Sequence, residues 1–210
     1  MTAGRIVLWR HGQTDYNLEG RCQGRIDIEL NAEGRRQAAA GAAALTRFLG
    51  ERRVGAIVAS DLMRARVTAE HLCRALGMDV VLDSRLRERS FGVFEGLSGT
   101  EIERHWASEY RLWKSGETPP GIGFESKGSA ARRVAAAVED HAAPLGAHET
   151  LVVVGHGSAL SQTLVWMLGD DPERGSQLCV MDNCHWAELR HQPDRRPVWQ
   201  LRAHNVGAVQ

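Results

Sequence analysis

The fold is decided by the stretch Ile6-Val7-Leu8-Trp9-Arg10-His11-Gly12-Gln13-Thr14, in which four apolar residues stop abruptly at an arginine, a histidine and a glycine. An apolar run of this kind is typical of a buried parallel strand. Ligands of such sheets bind just beyond the C-terminal ends of the strands, where Arg10 and His11 would lie. Taken alone, the two residues also have an ordinary explanation, as a surface charge and a capped or partly buried imidazole.

Length and composition predict one domain over residues 1–210. The 210 residues with 43% hydrophobic content suffice for one good core. Lys plus Arg and Asp plus Glu number 26 each, so the chain lacks the basic field that nucleic acids or anionic membranes require. The sequence shows no signal-like segment before the first strand and no apolar run near the ~20 residues of a membrane span. We therefore expect a cytoplasmic protein with neither nucleic acid nor membrane as partner.

Cysteine usage gives no sign of a disulfide scaffold or a metal site. The four cysteines are scattered and form no C-x-x-C pair, so we expect reduced thiols. Four residues with metal-binding side chains do lie within thirteen positions, but their spacing matches no familiar finger or ribbon and apolar residues interleave with them. They are Cys179, Cys184, His185 and His191. We predict no metal and no cofactor.

Alternating helical and strand-like patterns predict an α/β fold. Apolar positions at threes and fours predict a helix over 31–49, with Asn31 as N-cap and Gly50 as its stop. A strand over 56–59 leads to Ser60 and Asp61, both good N-caps, and then to a helix that ends before Gly77. A short strand over 79–82 follows.

Residues 98–128 differ from this pattern and predict an inserted cap or loop region over the site. The spacing Ser98 to Glu101 is that of a capping box, which opens a helix that we expect to carry Trp106, Tyr110 and Trp113. Five glycines or prolines then fall in 116–123. Too little chain follows for a separate domain.

A second histidine, His156, also follows an apolar strand and lies next to glycine. Residues 151–154 form an apolar strand that ends in Gly155-His156-Gly157, and a helix starts with Ser158. A lone Gly-His-Gly is more often a tight turn. Here, however, Arg64 falls in the first turn of the helix that follows strand 56–59. The ends of three strands would therefore bring two arginines, Arg10 and Arg64, close to the two histidines. Glycine beside histidine lets the backbone approach an anion, and a helix N-terminus adds N–H donors.

Phosphoryl transfer is the chemistry that needs such a set. The charge of the transferred group spreads over three oxygens, which cations stabilise. Neutral histidine can attack phosphorus through a ring nitrogen. The leaving alkoxide also needs a proton, and a carboxylic acid can supply it. Residues 86–96 combine Glu88 and Glu95 with two phenylalanines. Aromatic rings around a carboxyl group exclude water from it, which can raise its pKa. Glu101 lies nearby, and the charge pattern alone does not choose among the three.

These motifs resemble the histidine phosphatase superfamily, in its phosphoglycerate mutase-like branch, and the resemblance covers essentially the whole chain. Four segments carry it: Arg10–Thr14 followed by Asn17, Gln23 and Gly24; Ser60–Ala69; Leu86–Gly92; and Val154–Gly157. Asn183 also occupies a place where the branch commonly has a Gly-Asn pair. The resemblance implies a three-layer α/β/α sandwich with a mostly parallel central sheet.

The resemblance also implies roles for single residues. His11 would be the nucleophile that becomes phosphorylated. Arg10, Arg64 and His156 would bind the phosphoryl group, and Glu88, favoured over Glu95 by its spacing to Phe91-Gly92, would be the proton donor. The residues implied to assist in binding phosphate and substrate are Asn17, Gln23, Gly24 and Gly157. Ordinary explanations exist for three of these residues: Asn17 as a loop cap, Gln23 as a solvated side chain, and Arg64 as the partner of Asp61 or of another acid on the helix surface.

Departures from the branch pattern favour hydrolysis. Mutases of the branch resemble one another in a lysine shortly after the acid and in an Arg-Arg pair in the inserted loop. This chain has Gly99 in place of the lysine, and its Arg132-Arg133 pair falls too late, inside a predicted helix. We therefore predict a metal-independent phosphomonoester phosphatase. A cofactor-dependent phosphoglycerate mutase is the alternative, and a non-catalytic phosphate-binding protein is the second, which would require loss of a catalytic residue.

The substrate would be a small phosphorylated metabolite. The opening motif most resembles branch members that act on phosphorylated sugars or glycerates. The loop over 121–126 departs from a commoner Gly-Gly-Glu-Ser pattern and places Phe124 near the predicted mouth of the site. The sequence neither predicts nor excludes a homodimer.

Overall fold

The computed structural model describes residues 2–174 and 177–208. Its centre is one six-stranded sheet in the order β3-β2-β4-β1-β5-β6. The strands are β1 (Arg5–Arg10), β2 (Arg53–Ala59), β3 (Val80–Leu82), β4 (Glu149–Gly155), β5 (Trp186–His191) and β6 (Trp199–Val206). Strands β1 to β4 pair in parallel, and β5 pairs antiparallel with both neighbours. The sheet is therefore mostly parallel, which confirms the prediction.

Seven helices accompany the sheet within the described residues. They are α1 (Asp15–Leu18), α2 (Ala32–Leu49), α3 (Met63–Leu76), α4 (Gly99–His105), α5 (Ala107–Lys114), α6 (Lys127–Ala142) and α7 (Gly157–Met167). The sequence analysis did not predict α1, because a four-residue helix shows no periodicity.

The helices cover both faces of the sheet. Alternate residues of each strand point to opposite faces, so Ile6 and Leu8 pack in one cluster with α6 and α7. Val7 and Trp9 pack in the other cluster, with α2 and α3. The predicted three-layer α/β/α sandwich is therefore confirmed. All six strands share one sheet, and a single domain over residues 1–210 stays a prediction.

The boundaries of α2 agree with the sequence pattern, whereas the start of α3 differs from it. The Asn31 side chain caps α2 by accepting from the backbone N–H of Gly34, and Gly50 ends this helix. Neither Ser60 nor Asp61 is the N-cap of α3, because the helix begins only at Met63. The backbone N–H of Met63 donates instead to Asp27 Oδ1 at 2.7 Å. A residue distant in sequence thus caps this helix, which local spacing could not reveal.

The cap region departs from the predicted single helix. The capping box of Ser98 and Glu101 is present, but the backbone leaves helical geometry at Trp106, so Tyr110 and Trp113 lie on the separate helix α5. A small third core holds the region together. Its members are Cys22, Phe91, Phe94, Leu97, Ile102, Trp106, Tyr110, Trp113, Ile122 and Phe124.

Because Phe91 and Phe94 belong to this third core, we propose that the cap begins before residue 98, at about the end of β3. Phe124 also packs inside the cluster, with its ring centroid 5.0 Å from that of Phe94. Its partners are therefore aromatic rings of the cap itself.

The four cysteines form no disulfide with one another, and Cys22, Cys73 and Cys184 are buried. Burial raises the pKa of the Cys22 and Cys184 thiols to about 12, so both thiols stay protonated near neutral pH. Of the helices in the described ranges, none has both the length and the apolar character needed to cross a membrane.

Candidate active site

Three strand ends meet at one edge of the sheet. His11 follows β1 and His156 follows β4, and these strands pair in parallel with Arg10 opposite Gly155. The backbone N–H of His11 donates to the Gly155 carbonyl at 3.0 Å. The two imidazole centroids are 5.2 Å apart. Arg64 lies in the first turn of α3, after β2, which flanks β4 on its other side. The structure thus brings these side chains together.

Hydrogen bonding fixes the tautomer of His11. The ring is buried, and its Nδ1 lies 2.7 Å from the carbonyl oxygen of Gly12. A carbonyl can only accept, so Nδ1 carries the proton and Nε2 keeps its lone pair. The backbone N–H of Gly12 donates to Thr68 Oγ1 at 3.1 Å and anchors this peptide. Sequence reasoning gave Thr68 no role, since its contact spans 56 residues.

Arg64 joins the second histidine to the loop after β1. Its Nε donates to His156 Nδ1 at 3.1 Å, and its two terminal nitrogens donate to the carbonyls of Gly24 and Ile26 at 2.8 Å each. Because His156 Nδ1 accepts, the neutral ring carries its proton on Nε2. The ordinary explanation of Arg64 as the partner of Asp61 is wrong, since Asp61 pairs with another arginine of the chain.

Arg10 packs against the glycine that follows the second histidine. Its Nη1 donates to the Met181 carbonyl at 2.6 Å. A Cβ at Gly157 would lie 3.2 Å from Arg10 Nε and 3.0 Å from a methyl carbon of Val180. Glycine at this position therefore leaves room for the guanidinium beside the start of α7.

Three buried polar atoms of this site have no hydrogen-bond partner within the described residues. They are Arg10 Nε, His156 Nε2 and Gln23 Oε1. Buried polar groups without partners are rare, and a ligand is one of the few explanations for them. The first two atoms are donors, which suits an anion. The amide of Gln23 can rotate to present its nitrogen instead of its oxygen. Because Gln23 Oε1 is buried, the explanation of this side chain as simply solvated does not fit.

Asn17 acts as a cap and is also linked through Asn183 to the backbone of His11. It forms a capping box with Thr14 at the start of α1, as its ordinary explanation requires. Asn183 Nδ2 donates to both Asn17 Oδ1, at 3.3 Å, and the His11 carbonyl, at 3.0 Å. Asn17 Oδ1 therefore ties Asn183 to the loop after β1.

Glu88 reaches the same edge from the segment before the cap. Its carboxylate accepts from the backbone N–H groups of Ser158 at 3.0 Å, Ala159 at 2.7 Å and Arg89 at 2.8 Å. The side chain therefore lies at the N-terminus of α7, next to the histidine that precedes this helix. The sequence predicted aromatic rings around the acid, and this is wrong for Glu88. The two phenylalanines of the segment pack in the third core, and backbone amides contact the Glu88 carboxylate instead.

Glu95, the competing acid, points elsewhere. Its Oε1 accepts from the backbone N–H of Phe91 at 2.9 Å, within the cap segment. Its carboxyl group also packs against Gly24, where any Cβ would overlap it. Glu101, the third acid nearby, belongs to the capping box of α4 and pairs with Arg21. The geometry therefore separates the three carboxylates and leaves Glu88 beside the histidines.

Burial dominates the electrostatics of the site. It lowers the pKa of both His11 and His156 well below 6.5, and the Arg64 and Arg10 charges lower them further. Both rings are therefore neutral near pH 7. Burial also lowers the pKa of Arg64 to about 10, although the Glu88 carboxylate raises it. Arg64 remains a cation at neutral pH.

The lowered histidine pKa values predict a loss of stability in mild acid. As pH falls below 6.5, the unfolded chain takes up protons at both positions and the folded chain does not. Each histidine then lowers the free energy of unfolding by about 1.4 kcal/mol per pH unit until its folded pKa is reached. Urea unfolding in phosphate-free buffer, followed from about pH 6.5 to 5.5, should show this decline.

The variant His156→Asn checks the assignment, because asparagine can still accept from Arg64 but does not titrate. It should show a shallower decline in unfolding free energy than the unsubstituted protein over the same pH range. Equal slopes in the two proteins would contradict the lowered pKa of His156.

No three His, Cys, Asp or Glu side chains come together as metal ligands in the parts of the chain that the structure describes. Of the four residues weighed in the sequence, Cys184 is buried among apolar side chains, and the Cys179 sulfur lies 4.0 Å from a nitrogen of His204. That the protein works without a metal stays a prediction.

Comparison with known proteins agrees with this arrangement. Residues 6–206 match the histidine phosphatase superfamily (branch 1). The chain is 36% identical over 196 residues to glucosyl-3-phosphoglycerate phosphatase of Mycobacterium tuberculosis, covering 90% of this chain and 86% of the relative. It is also 38% identical over 193 residues to a probable phosphoglycerate mutase of Escherichia coli, covering 90% and 85% of the two chains.

A solved structure gives the same result. The mycobacterial glucosyl-3-phosphoglycerate phosphatase in complex with VO3 superimposes with a TM-score of 0.86 at 33% identity, covering 97% of this chain and 99% of that one. A mostly parallel sheet between helices, with two histidines and two arginines at one edge, is the arrangement that this class of phosphatase shares. The chain belongs to the histidine phosphatase superfamily, as its motifs predicted, and the prediction of a phosphatase is confirmed at this level.

Proposed function

We propose that this chain is a metal-independent phosphomonoester phosphatase that works through a phosphohistidine at His11. The observation that carries the proposal is a pair of buried donors, Arg10 Nε and His156 Nε2, which have no partner among the residues that the structure describes and lie beside a histidine whose Nε2 keeps its lone pair. Donors fixed in place before the substrate binds stabilise the charge of a phosphoryl group in flight.

In the first step, His11 Nε2 attacks phosphorus, the N–P bond forms, and the bond from phosphorus to the ester oxygen breaks. Arg10, Arg64 and His156 Nε2–H stabilise the three phosphoryl oxygens. Glu88 gives its proton to the leaving alkoxide, which departs as an alcohol. Asn17, Gln23 and the backbone beside Gly157 assist in binding the phosphoryl group.

In the second step, water replaces the imidazole. The Glu88 carboxylate takes a proton from the water, whose oxygen attacks phosphorus as the N–P bond breaks. Inorganic phosphate and neutral His11 result, and Glu88 is again protonated. The same group thus acts as acid and then as base, as microscopic reversibility requires of it.

We infer that the substrate is a phosphorylated sugar or glycerate derivative, the class on which the glucosyl-3-phosphoglycerate phosphatases act by name. A cavity of about 390 Å³ lies between the loop after β1 and the cap, and its lining does not include the two histidines or the two arginines. We infer from its lining alone that it receives the alcohol part of such an ester. Its lining combines two aromatic rings, Tyr110 and Trp113, with the ammonium of Lys114. Aromatic faces pack against sugar rings, and the lysine suits a carboxylate.

Hydrolysis is favoured over the mutase reaction by the same region. A Cβ at Gly99 would lie 3.0 Å from the Tyr110 hydroxyl, so this tyrosine takes the space of the side chain that mutases use. Arg132 lies over the Trp166 ring, and Arg133 is bound to backbone carbonyls and to Glu125. Arg133 therefore does not offer a free guanidinium for a second phosphate, and Arg132 is exposed beside Trp166.

The direct test uses purified protein treated with a chelator. We expect phosphate release from at least one phosphorylated sugar or glycerate derivative, at an unchanged rate after chelation. Isomerisation of 3-phosphoglycerate primed with 2,3-bisphosphoglycerate should stay at background.

Each alternative has its own outcome in this test. Activity that disappears with the chelator and returns with a divalent cation would overturn metal independence. Isomerisation faster than hydrolysis would establish the mutase instead. The absence of hydrolysis across a broad panel of esters would overturn the enzyme and favour a phosphate-binding protein. The oligomeric state, which the sequence leaves open, is measured separately by sedimentation.

A further inference from the structure

The segment that carries Glu88 is held by an arginine from another element. Residues 85–90 are mostly irregular chain, whose carbonyls need donors from outside. Arg133, on α6, supplies three of them: its guanidinium donates to the carbonyls of Arg85 at 2.6 Å, Arg87 at 2.9 Å and Glu88 at 3.5 Å. One side chain therefore fixes the backbone on both sides of position 87.

Glu125 orients this arginine. Its two carboxylate oxygens accept from Arg133 Nε at 2.9 Å and Nη2 at 2.7 Å, a bidentate pair in which both side chains are largely buried. Burial raises the pKa of Glu125, but the hydrogen bond and charge of Arg133, together with the Arg25 charge and the Ser90 amide, outweigh burial and lower it. Bidentate geometry of this kind fixes direction as well as distance. Lysine could not replace Arg133 in all these contacts.

Glu125 also ties the acid segment to the phosphate-binding loop. Its backbone N–H donates to the Ser90 carbonyl at 3.0 Å. Arg25 donates to Glu125 Oε2 at 3.1 Å and to the Glu88 carbonyl at 3.2 Å. Arg25 directly follows Gly24, whose carbonyl binds a catalytic arginine. The cap, the acid segment and the phosphate loop therefore meet at one carboxylate.

We propose that Glu125 and Arg133 are positioning residues that set the Glu88 carboxyl group in place to protonate the leaving group. Glu88 is held at two ends, with its backbone on Arg133 and its carboxylate on the first amides of α7. Loss of the backbone anchor shifts the carboxyl group, and misplacement by about 1 Å can cost on the order of 100-fold in rate. This inference rests on the proposed role of Glu88 as the acid.

A purely structural pair and a positioning pair differ in their dependence on the leaving group. A nitrophenolate leaves without a proton, whereas the alkoxide of a sugar or glycerate needs one. We expect Glu125→Gln and Arg133→Lys to lower kcat/KM for an alkyl phosphate by about 10- to 100-fold, within the range that proton transfer contributes. With 4-nitrophenyl phosphate, kcat/KM should change by less than about threefold, because it reports only the first step and proton donation contributes little there.

Arg132→Lys is the matched control, since this neighbour lies on the same helix and contacts Trp166 instead. It should leave kcat/KM for both esters unchanged. If Glu125→Gln and Arg133→Lys lower kcat/KM for the alkyl and the nitrophenyl ester in equal proportion, the pair is structural only and the proposal is overturned. A cycle with Glu88→Gln adds a second check: in that background the two substitutions should cause no further loss with the alkyl ester.

Hydrogen exchange tests the positioning without using catalysis. The amides of Ser158 and Ala159 are protected by the Glu88 carboxylate, so they should exchange faster in Glu125→Gln than in the unsubstituted protein. Unchanged protection would contradict the proposal even if Glu88 is the acid. A different result would contradict the proposed role of Glu88 instead. In that case the Ser158 and Ala159 amides would exchange faster in Glu125→Gln, but Glu88→Gln would lower kcat/KM equally for the alkyl and the nitrophenyl ester.

Discussion

Replacing His11 by alanine is expected to lower kcat for phosphate release by on the order of 10⁴-fold or more, the scale on which loss of a nucleophile acts. The physical reason is that no other neutral nitrogen in the described site has both a free lone pair and a place beside the donors. His156 donates from Nε2, and its Nδ1 is occupied by Arg64 Nε. Steady-state assays with the preferred ester measure the loss.

His105→Ala is the control for this substitution, since His105 is exposed at the end of α4. Its rate should match that of the unsubstituted protein. Circular dichroism would show that His11→Ala keeps its fold, which is expected because the His11 backbone contacts with Gly155 and Asn183 do not need the ring. A His11→Ala protein that retained its rate would rule out this histidine as the nucleophile.

Replacing Glu88 by glutamine has the second largest expected effect. Glutamine keeps the shape of the side chain but cannot give a proton, so kcat with an alkyl phosphate should fall by about 10²- to 10⁴-fold. The second step should slow as well, because the base that activates water is lost. With 4-nitrophenyl phosphate, whose first step needs no proton donor, rapid-quench experiments should therefore detect phosphoenzyme at a higher steady-state level than in the unsubstituted protein.

Glu95→Gln tests the choice between the two acids. The Glu95 carboxyl group bonds to the Phe91 amide within the cap segment, away from the start of α7. Its amide analogue keeps an oxygen for that bond, so we expect a change of less than about threefold, as for most substitutions outside a reacting centre. A larger loss in Glu95→Gln than in Glu88→Gln would reverse the assignment.

The sequence predicted the parts of the fold that depend on local pattern. The run before Arg10 and the run before His156 each read as a buried strand, and they are β1 and β4. The helix over 31–49 has the predicted cap and stop. The meeting of three strand ends also followed from the sequence, because parallel strands place their C-terminal ends at one edge.

The parts that could not be predicted depend on contacts between distant residues. The cap of α3 comes from Asp27, the bend at Trp106 follows no glycine or proline, and α1 is too short to show a period. Arg133 illustrates the same limit in the site. Its spacing shows only that it lies too late to be a mutase arginine, whereas its contacts with residues 85–88 span more than forty positions.

The central claim is that His11 carries the phosphoryl group between ester and water. The most direct measurement is to mix the Glu88→Gln variant with phosphate-labelled substrate, quench it within the first turnover, and locate the label by mass spectrometry under conditions that preserve phosphohistidine. The account predicts an acid-labile phosphate on Nε2 of His11, absent from the His11→Ala protein. Label on another residue, or turnover by the unsubstituted protein with no labelled intermediate in either protein, would contradict it.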